Sequence, residues 1–328
     1  MLPEQVQKAD GESLLDLVRH SSDLLVVVNQ EAVVLFANPA ASAMLGVPLE
    51  DAIGKDAFHY IHPDDHEHAM INLARLVRSP GTPITDTLRV VSANGQVRVL
   101  ETVTTNCLHE PGIDGLVING RDVTERNEYI IKLEKSFDAI TVAVAKMVEL
   151  RDPYTAGHQR HVARIATAIA RDLALSEDEI KGIAVAALLH DIGKIAIPAE
   201  ILTRPGPLSP AEFEIIKSHP EAGHLIVADV PFPWPVAQMI LQHHERLDGS
   251  GYPNGLTGTD ILFGSRIVAV ADVVSAMSAH RPYRLAIGLA KALTEIEINQ
   301  NQLYDATVVD ACLRLFRERR FEARDSVL

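Results

Sequence analysis

Cysteine is scarce: the 328 residues hold two, Cys107 and Cys312, far apart in sequence. That excludes a disulfide-stapled scaffold and leads to the expectation of a reducing, cytoplasmic setting. Aromatic residues make up 5%, with a single tryptophan. No apolar run reaches the roughly 18 residues that a membrane helix needs. The opening stretch, MLPEQVQKADGES, lacks the basic start and apolar core of a secretory signal. Neither export nor membrane association is therefore expected. Positive charge is short too: 30 Lys and Arg stand against 44 Asp and Glu, a net charge of −14. A chain this acidic is a poor general binder of DNA, RNA or anionic membrane. Any anionic ligand must be met by local cations or metal ions. Low-complexity tracts and fixed-period repeats are missing as well. What is present, 47% hydrophobic and 23% charged residues, is ordinary globular composition, long enough for two domains with cores of their own.

The first third reads as mixed α and β. Leu24 to Val28 and Val33 to Ala37 are short runs rich in β-branched residues. Asn38 to Leu45 reads as a helix stopped by Gly46 with Pro48 behind it. Thr87 to Val91 and Val97 to Val103 flank Ala93-Asn94-Gly95, a hairpin signal, and Leu116 to Asn119 is another short strand. Paired antiparallel, these strands give one small sheet with helices on one face. Asp122-Val-Thr-Glu125 is a helix-start box, with Asp122 as cap and Glu125 reaching back. Beyond it Ile130, Leu133, Phe137, Ile140, Val144 and Met147 keep a 3-4 spacing, a heptad seam. We read the seam as a coiled-coil linker pairing two subunits; the alternative is the buried face of the next domain's first helix. From about residue 151 onward strand signals almost vanish. Ser176 to Glu179 and Ser209 to Glu212 are capping boxes, and the apolar period is helical. The expected organisation is an α+β domain over 13–124, a linker helix over 125–150 and an all-helical domain over 151–322.

Eight of the fourteen histidines lie between 158 and 280. In order, the ligand-type residues are His158, the pair His190-Asp191, His219, the pair His243-His244, and Asp272. His190 and Asp191 end the apolar run Ile183 to Leu189, and Asp272 interrupts Ile267 to Val274. A carboxylate buried in such a run costs several kcal/mol unless it is paired or metal-bound. One histidine on an apolar face is usually a satisfied core residue. Seven such positions with two adjacent pairs point instead to metal. Mixed imidazole and carboxylate ligands without cysteine suit iron, manganese or zinc rather than a thiolate zinc site. The two adjacent pairs supply more ligands than one ion needs, and an aspartate following a histidine can bridge two ions. The implied site is binuclear, and two ions a few ångströms apart suit phosphodiester hydrolysis. Lys194, Arg281 and Arg284 are the candidate phosphate-binding cations; for the arginines the alternative is a solvated surface.

The segment HHERLDGSGYP, His243 to Pro253, matches the signature HHExxDGxGYP of the HD-GYP family. LLHDIGK at 188–194, SHPEAG at 218–223, VADV at 270–273 and RPYR at 281–284 follow the family's other motifs in order. Over roughly 145–320 the chain resembles HD-GYP phosphodiesterases: helical bundles, often holding iron or manganese, that hydrolyse cyclic di-GMP to the linear dinucleotide or GMP. The resemblance implies His158, His190, Asp191, His219, His243, His244 and Asp272 as metal ligands. It places Asp191 and Lys194 in catalysis, and Lys194, Arg281 and Arg284 on substrate phosphates or guanines. Glu245, Asp248, Gly249, Gly251, Tyr252 and Pro253 form the GYP loop, which shapes the site or contacts diguanylate cyclases, a further candidate partner. A plain alternative for its glycines is a tight turn needing positive φ. Hydrolysis of a cyclic GMP-AMP hybrid and a non-catalytic binding or cyclase-pairing module remain the competing readings.

Three departures stand out. Members with a third metal carry glutamate four residues before the first ligand histidine; Tyr154 stands there, which implies two ions. His161 stands where many members have arginine. It is a neutral substitute, a partner to a ligand, or a change in phosphate contact. Ser275 occupies a position often acidic in relatives. None removes a ligand. The N-terminal part, through LLVVVNQEAVVLFANPAASAMLG, HPDD at 62–65 and GRDVTER, resembles a PAS domain. The expected whole is an α+β PAS domain, its sheet covered by helices on one face, joined by a long helix to an all-α HD-type bundle, as a homodimer. The ligand of the PAS domain is not legible. His59, His62, His66 and His68 raise a metal or haem site, against the simpler reading of a polar loop and helix start.

Overall fold

The computed structural model of the chain describes residues 16–79, 81–152, 157–204, 206–278, 288–318 and 321. They divide into two units, 1–134 and 135–328. Tyr154, Arg281 and Arg284 lie outside the described residues. Among the described residues no helix is long and apolar enough to cross a membrane.

The first unit is a PAS fold, an antiparallel sheet with flanking helices. Its strands are β1 (Leu24–Val28), β2 (Val34–Ala37), β3 (Ile84–Val91), β4 (Val97–Cys107) and β5 (Gly115–Asp122), in the order β2-β1-β5-β4-β3. Neighbours pair antiparallel throughout. In β1 the alternation is visible: Leu24, Val26 and Val28 are buried and the residues between are half-exposed. The short helices α1 (Pro39–Leu45) and α2 (Leu49–Ala52) follow β2, and α3 (His66–Val77) precedes β3. Asn38 is the pivot of this corner. Its buried side-chain oxygen accepts from Ala41 N and Leu25 N, and its amide donates to the Asp23 carbonyl. One residue thus caps α1 and ties it to β1.

Helix α4 (Thr124–Arg151) runs for 28 residues. Its start departs in part from the expected box. Asp122 caps as expected, receiving the Thr124 amide and hydroxyl, while the Thr124 hydroxyl accepts from Val99 N and so ties the helix start to β4. The heptad seam divides. Phe137 and Val144 pack against the core of the second unit, as do the buried Ala145 and Val148. Leu133, Ile140 and Met147, one heptad apart, are 72%, 63% and 60% exposed.

Among its described residues the second unit is mostly helical: α5 (His158–Asp172), α6 (Glu177–Leu189), α7 (Ala199–Leu202), α8 (Pro210–Ile216), α9 (His219–Val227), α10 (Val236–Gln242), α11 (Phe263–Ser278), α12 (Leu289–Ile298) and α13 (Ala306–Arg317). Both expected capping boxes form, Ser176 with Glu179 and Ser209 with Glu212. The core joins α5, α6 and α11 through Val162, Ile165, Ile169, Val185, Ile267 and Val270, all fully buried.

Candidate metal centre

Helix ends position the ligand-type side chains. His158 opens α5, His190 closes α6 and Asp191 starts the 3-10 turn Ile192–Ala196. His219 opens α9, His243 closes α10 with His244 next to it, and Asp272 projects from within α11. The turn after Asp191 reaches α9 because Gly193 has no side chain: a Cβ there would lie 1.9 Å from the His219 carbonyl oxygen. That contact brings His190-Asp191 beside His219.

The result is three overlapping groups whose ligand atoms lie within 4.8 Å of one another: His158 with His190 and Asp272; His190 with Asp191 and His243; His219 with His243 and His244. All seven sequence-selected residues meet here. Asp191 spans the cluster. One carboxylate oxygen lies 3.4 Å from His190 Nε2 and the other 3.4 Å from His219 Nε2. Asp272 Oδ1 is 3.0 Å from His158 Nε2 and 3.9 Å from His190 Nε2.

Backbone carbonyls fix the histidine tautomers. Nδ1 of His190, His219 and His243 donates to the carbonyls of Ala187, Ile216 and Ile240 at 2.7, 2.7 and 2.6 Å. A carbonyl can only accept, so these Nδ1 atoms carry the proton and Nε2 is left as a lone pair. Nε2 of His190 is buried without a hydrogen-bond partner. Nε2 of His219 and His243 face each other at 3.3 Å, an arrangement of two lone pairs that needs a cation between or beside them. The donor set therefore fits metal ions, as two His/Asp sites of a binuclear centre.

The electrostatics agree. Burial pushes His219 down to about 4 and His244 to about 3, and His243 well below the ordinary value. Burial would raise Asp191, but Lys194 and the rings of His190 and His219 outweigh it and hold the carboxyl well below its usual range. The same opposition, won by His158 and His190, holds Asp272 low. Burial would lower His190, yet Asp191 and Asp272 outweigh it and raise it. Two carboxylates there attract positive charge.

Lys194 Nζ lies 2.7 Å from Asp191 and 3.5 Å from Asp152. Asp152 is buried and was not singled out in the sequence; its place in RDPYTAGH, six residues before His158, was the available signal. Nor was the contact of Ser275 with His158 and His161 visible, since 117 and 114 residues separate the partners. In the GYP loop, buried Glu245 accepts from Asn254 N and Leu256 N and so closes the loop. Asp248 accepts from the amide and hydroxyl of Ser250. Gly249 has φ +80°, as a tight turn requires. Gly251 has a different reason: a Cβ would lie 2.4 Å from Glu245 Cα. Tyr252, followed by Pro253, sets its ring 4.7 Å from that of His244.

The PAS histidines do not assemble. His62 Nδ1 accepts from Asp64 N, His66 Nε2 donates to the Ile61 carbonyl and His68 pairs with Asp86. None of them, nor His59, belongs to a ligand group found among the described residues. The first unit does hold a cavity of about 100 Å³ lined by Leu24, Val34, Leu88, Leu100 and Ile118 among others, with no charged side chain.

Residues 143–308, just over half of the chain, match the family described as HD domain, and residues 18–128 match the PAS fold. The chain belongs to the HD domain family. Three relatives of this HD domain protein place it further. It is 42% identical over 173 residues to the cyclic di-GMP phosphodiesterase response regulator RpfG of Xanthomonas campestris, covering 52% of this chain and 46% of the relative. It is 41% identical over 169 residues to the 3'3'-cGAMP-specific phosphodiesterase 3 of Vibrio cholerae, covering 51% and 36%. It is 40% identical over 193 residues to a cyclic di-GMP phosphodiesterase of Thermotoga maritima, covering 58% and 52%. The matches span about half or less of these relatives' length.

Proposed function

We propose that the chain is a PAS-regulated, metal-dependent phosphodiesterase that hydrolyses a cyclic dinucleotide, with cyclic di-GMP as substrate and the linear dinucleotide or GMP as product. The observation that carries this reading is the position of Asp191, whose two oxygens face His190 on one side and His219 on the other. We assign His158, His190 and Asp272 to one ion, His219, His243 and His244 to the second, and Asp191 to both. Iron or manganese suits this mixed imidazole and carboxylate set. When bound, such a pair activates water at neutral pH and supplies positive charge at the phosphoryl oxygens. Lys194, held against Asp191, keeps that carboxylate ionised and offers a cation beside the centre for a substrate phosphate. Arg281 and Arg284 are assigned to phosphates or guanines on the motif alone. Tyr252 and the Glu245-anchored loop brace His244.

In this reading residues 13–124 sense, 125–150 connect and 151–322 catalyse. The exposed Leu133, Ile140 and Met147 support a homodimer through α4, and cyclases are a further candidate partner. A second substrate reading has its own support: the 41%-identical relative is named for 3'3'-cGAMP, and a metal centre reads phosphate rather than base. Turnover of both dinucleotides by the purified chain loaded with Fe²⁺ or Mn²⁺ tests the proposal. Faster cleavage of cyclic di-GMP is the expected result. Preference for the hybrid would change the substrate, and cleavage of neither by metal-loaded protein would make the chain a binding module.

A further inference from the structure

Two lysines near the metal centre are committed to carboxylates. Lys194 lies between Asp191 and Asp152 at 2.7 and 3.5 Å. Lys217, 5.8 Å from the Tyr252 ring, is held by Glu214 at 2.7 Å. Arg246, which fills an open position of HHExxDGxGYP, is different. It is half-buried, and no carboxylate among the described residues forms an ion pair with it. Nη1 donates to the Glu245 carbonyl at 2.9 Å, and the guanidinium carbon stands 5.3 Å from the centre of the buried Tyr304 ring. A guanidinium has more N–H donors than these contacts use. Nε and Nη2 bond to no described acceptor, and neither is sealed from solvent. The backbone holds this residue at the site. Arg246 comes just after His244 and Glu245, and the loop folds back over it. A Cβ on Gly251 would lie 2.4 Å from Arg246 N, and Tyr252 N donates to the His244 carbonyl at 3.3 Å. The guanidinium is close enough to act on both rings. Burial is the main reason that His244 is held at about 3, and Arg246 adds to it. Burial raises Tyr252, and Arg246 opposes it.

We propose that Arg246 is a substrate-binding residue that takes the phosphodiester not being cleaved. The inference rests on the cyclic-dinucleotide reading above. A cyclic dinucleotide carries two phosphodiesters, and a metal pair acts on one at a time. The other stays anionic and has to be met without help from the ions. In a chain with a net charge of −14 that task needs a fixed cation. Lys194 would first have to leave its carboxylates, whereas the free donors of Arg246 are available as they stand. The planar fork of arginine matches the two unesterified oxygens of a phosphodiester. Stacking on Tyr304 holds the fork in place, so docking costs little side-chain freedom. A guanidinium that only tied the loop to Tyr304 would affect every substrate alike. One that binds the second phosphate matters only to substrates that have one.

The test uses the full chain loaded with Mn²⁺ and two substrates. One is the cyclic dinucleotide that wild type cleaves faster. The other is bis(p-nitrophenyl) phosphate, which has a single phosphodiester. Arg246→Gln should lower kcat/KM on the dinucleotide about 10–100-fold more than on the small ester, the size of a lost charged hydrogen bond. The dinucleotide loss should fall mainly on KM. Arg246→Lys, which keeps the charge without the fork, should recover part of it. Elemental analysis and circular dichroism should show metal content and melting temperature as in wild type. Equal losses on the two substrates, or no loss on either, would overturn the inference and leave the phosphodiesterase reading standing. Should Arg246→Gln misfold, the same ratio in Arg246→Lys decides. Should wild type leave the small ester intact, the dinucleotide kinetics decide: a rise in KM supports the contact, and a fall in kcat alone overturns it. A wild type that cleaves no cyclic dinucleotide would overturn that reading and this inference together.

Discussion

Two sets of buried polar side chains, one in each unit, are partnered in opposite ways. In the PAS unit, Asn38 and Asn106 are buried with their groups spent on backbone partners: Asn38 on residues 23, 25 and 41, Asn106 on the Leu76 carbonyl and Leu108 amide. In the HD unit, His190 is buried with Nε2 unpartnered, and His219 and His243 turn lone pairs toward each other. The first pattern stabilises a fold and asks nothing of solution. The second costs stability until a cation arrives, because each buried unsatisfied group costs about 1–3 kcal/mol. Buried polarity is therefore informative only once its bonds are counted: satisfied groups mark architecture, and unsatisfied convergent ones mark a site.

The comparison breaks most sharply through substitution on each side. Replacing His190 and Asp191 together by Ala should reduce hydrolysis to background and lower metal content while the unit stays folded, as read by turnover, elemental analysis and circular dichroism. Loss of fold without loss of metal would reverse the roles argued for them. Asn38→Ala should do the converse. It should destabilise the PAS unit by about 2–3 kcal/mol, from a lost cap and orphaned buried partners, and leave metal content unchanged. Denaturant unfolding followed beside metal analysis would show a failure of either half.

A pH series sharpens the contrast. His219 and His244 titrate near 4 and 3 in the folded chain, against about 6.5 when unfolded. Between those values the unfolded state binds more protons, so stability falls as pH drops from about 6.5 toward 4. Metal-free protein should melt at a lower temperature at pH 5 than at pH 7.5, and Mn²⁺ should raise the melting temperature at both without closing the gap, because the bound ligands must be neutral imidazoles too. A flat profile in calorimetry would contradict the buried-neutral assignment.

The smallest effect concerns α4. Leu133→Glu with Ile140→Glu should weaken self-association in light scattering while sparing metal binding. Phe137 is unsuitable for this purpose, because its ring packs 6.2 Å from Phe232 within the second unit. A monomeric wild type would leave the exposed residues without a partner.

Much of this was legible in the sequence, for local reasons. The β-branched runs became β1 to β5, the Ser–Glu pairs became capping boxes, and the seven ligand-type residues converged because each lies in or beside an apolar helical run that must be buried. What was not legible depended on distant partners. The heptad spacing did not reveal that Phe137 and Val144 turn inward while Leu133, Ile140 and Met147 stay outward. Gly251 read as a turn glycine, whereas the backbone of Glu245 presses against it. His161 and Ser275 read as separate departures and meet only after folding.

The most direct test is the number of transition-metal ions per chain after anaerobic purification, measured by elemental analysis against protein concentration. The account predicts close to two, lost together with activity on chelation and regained with added iron or manganese. One ion or none, with no gain on adding either metal, would contradict it.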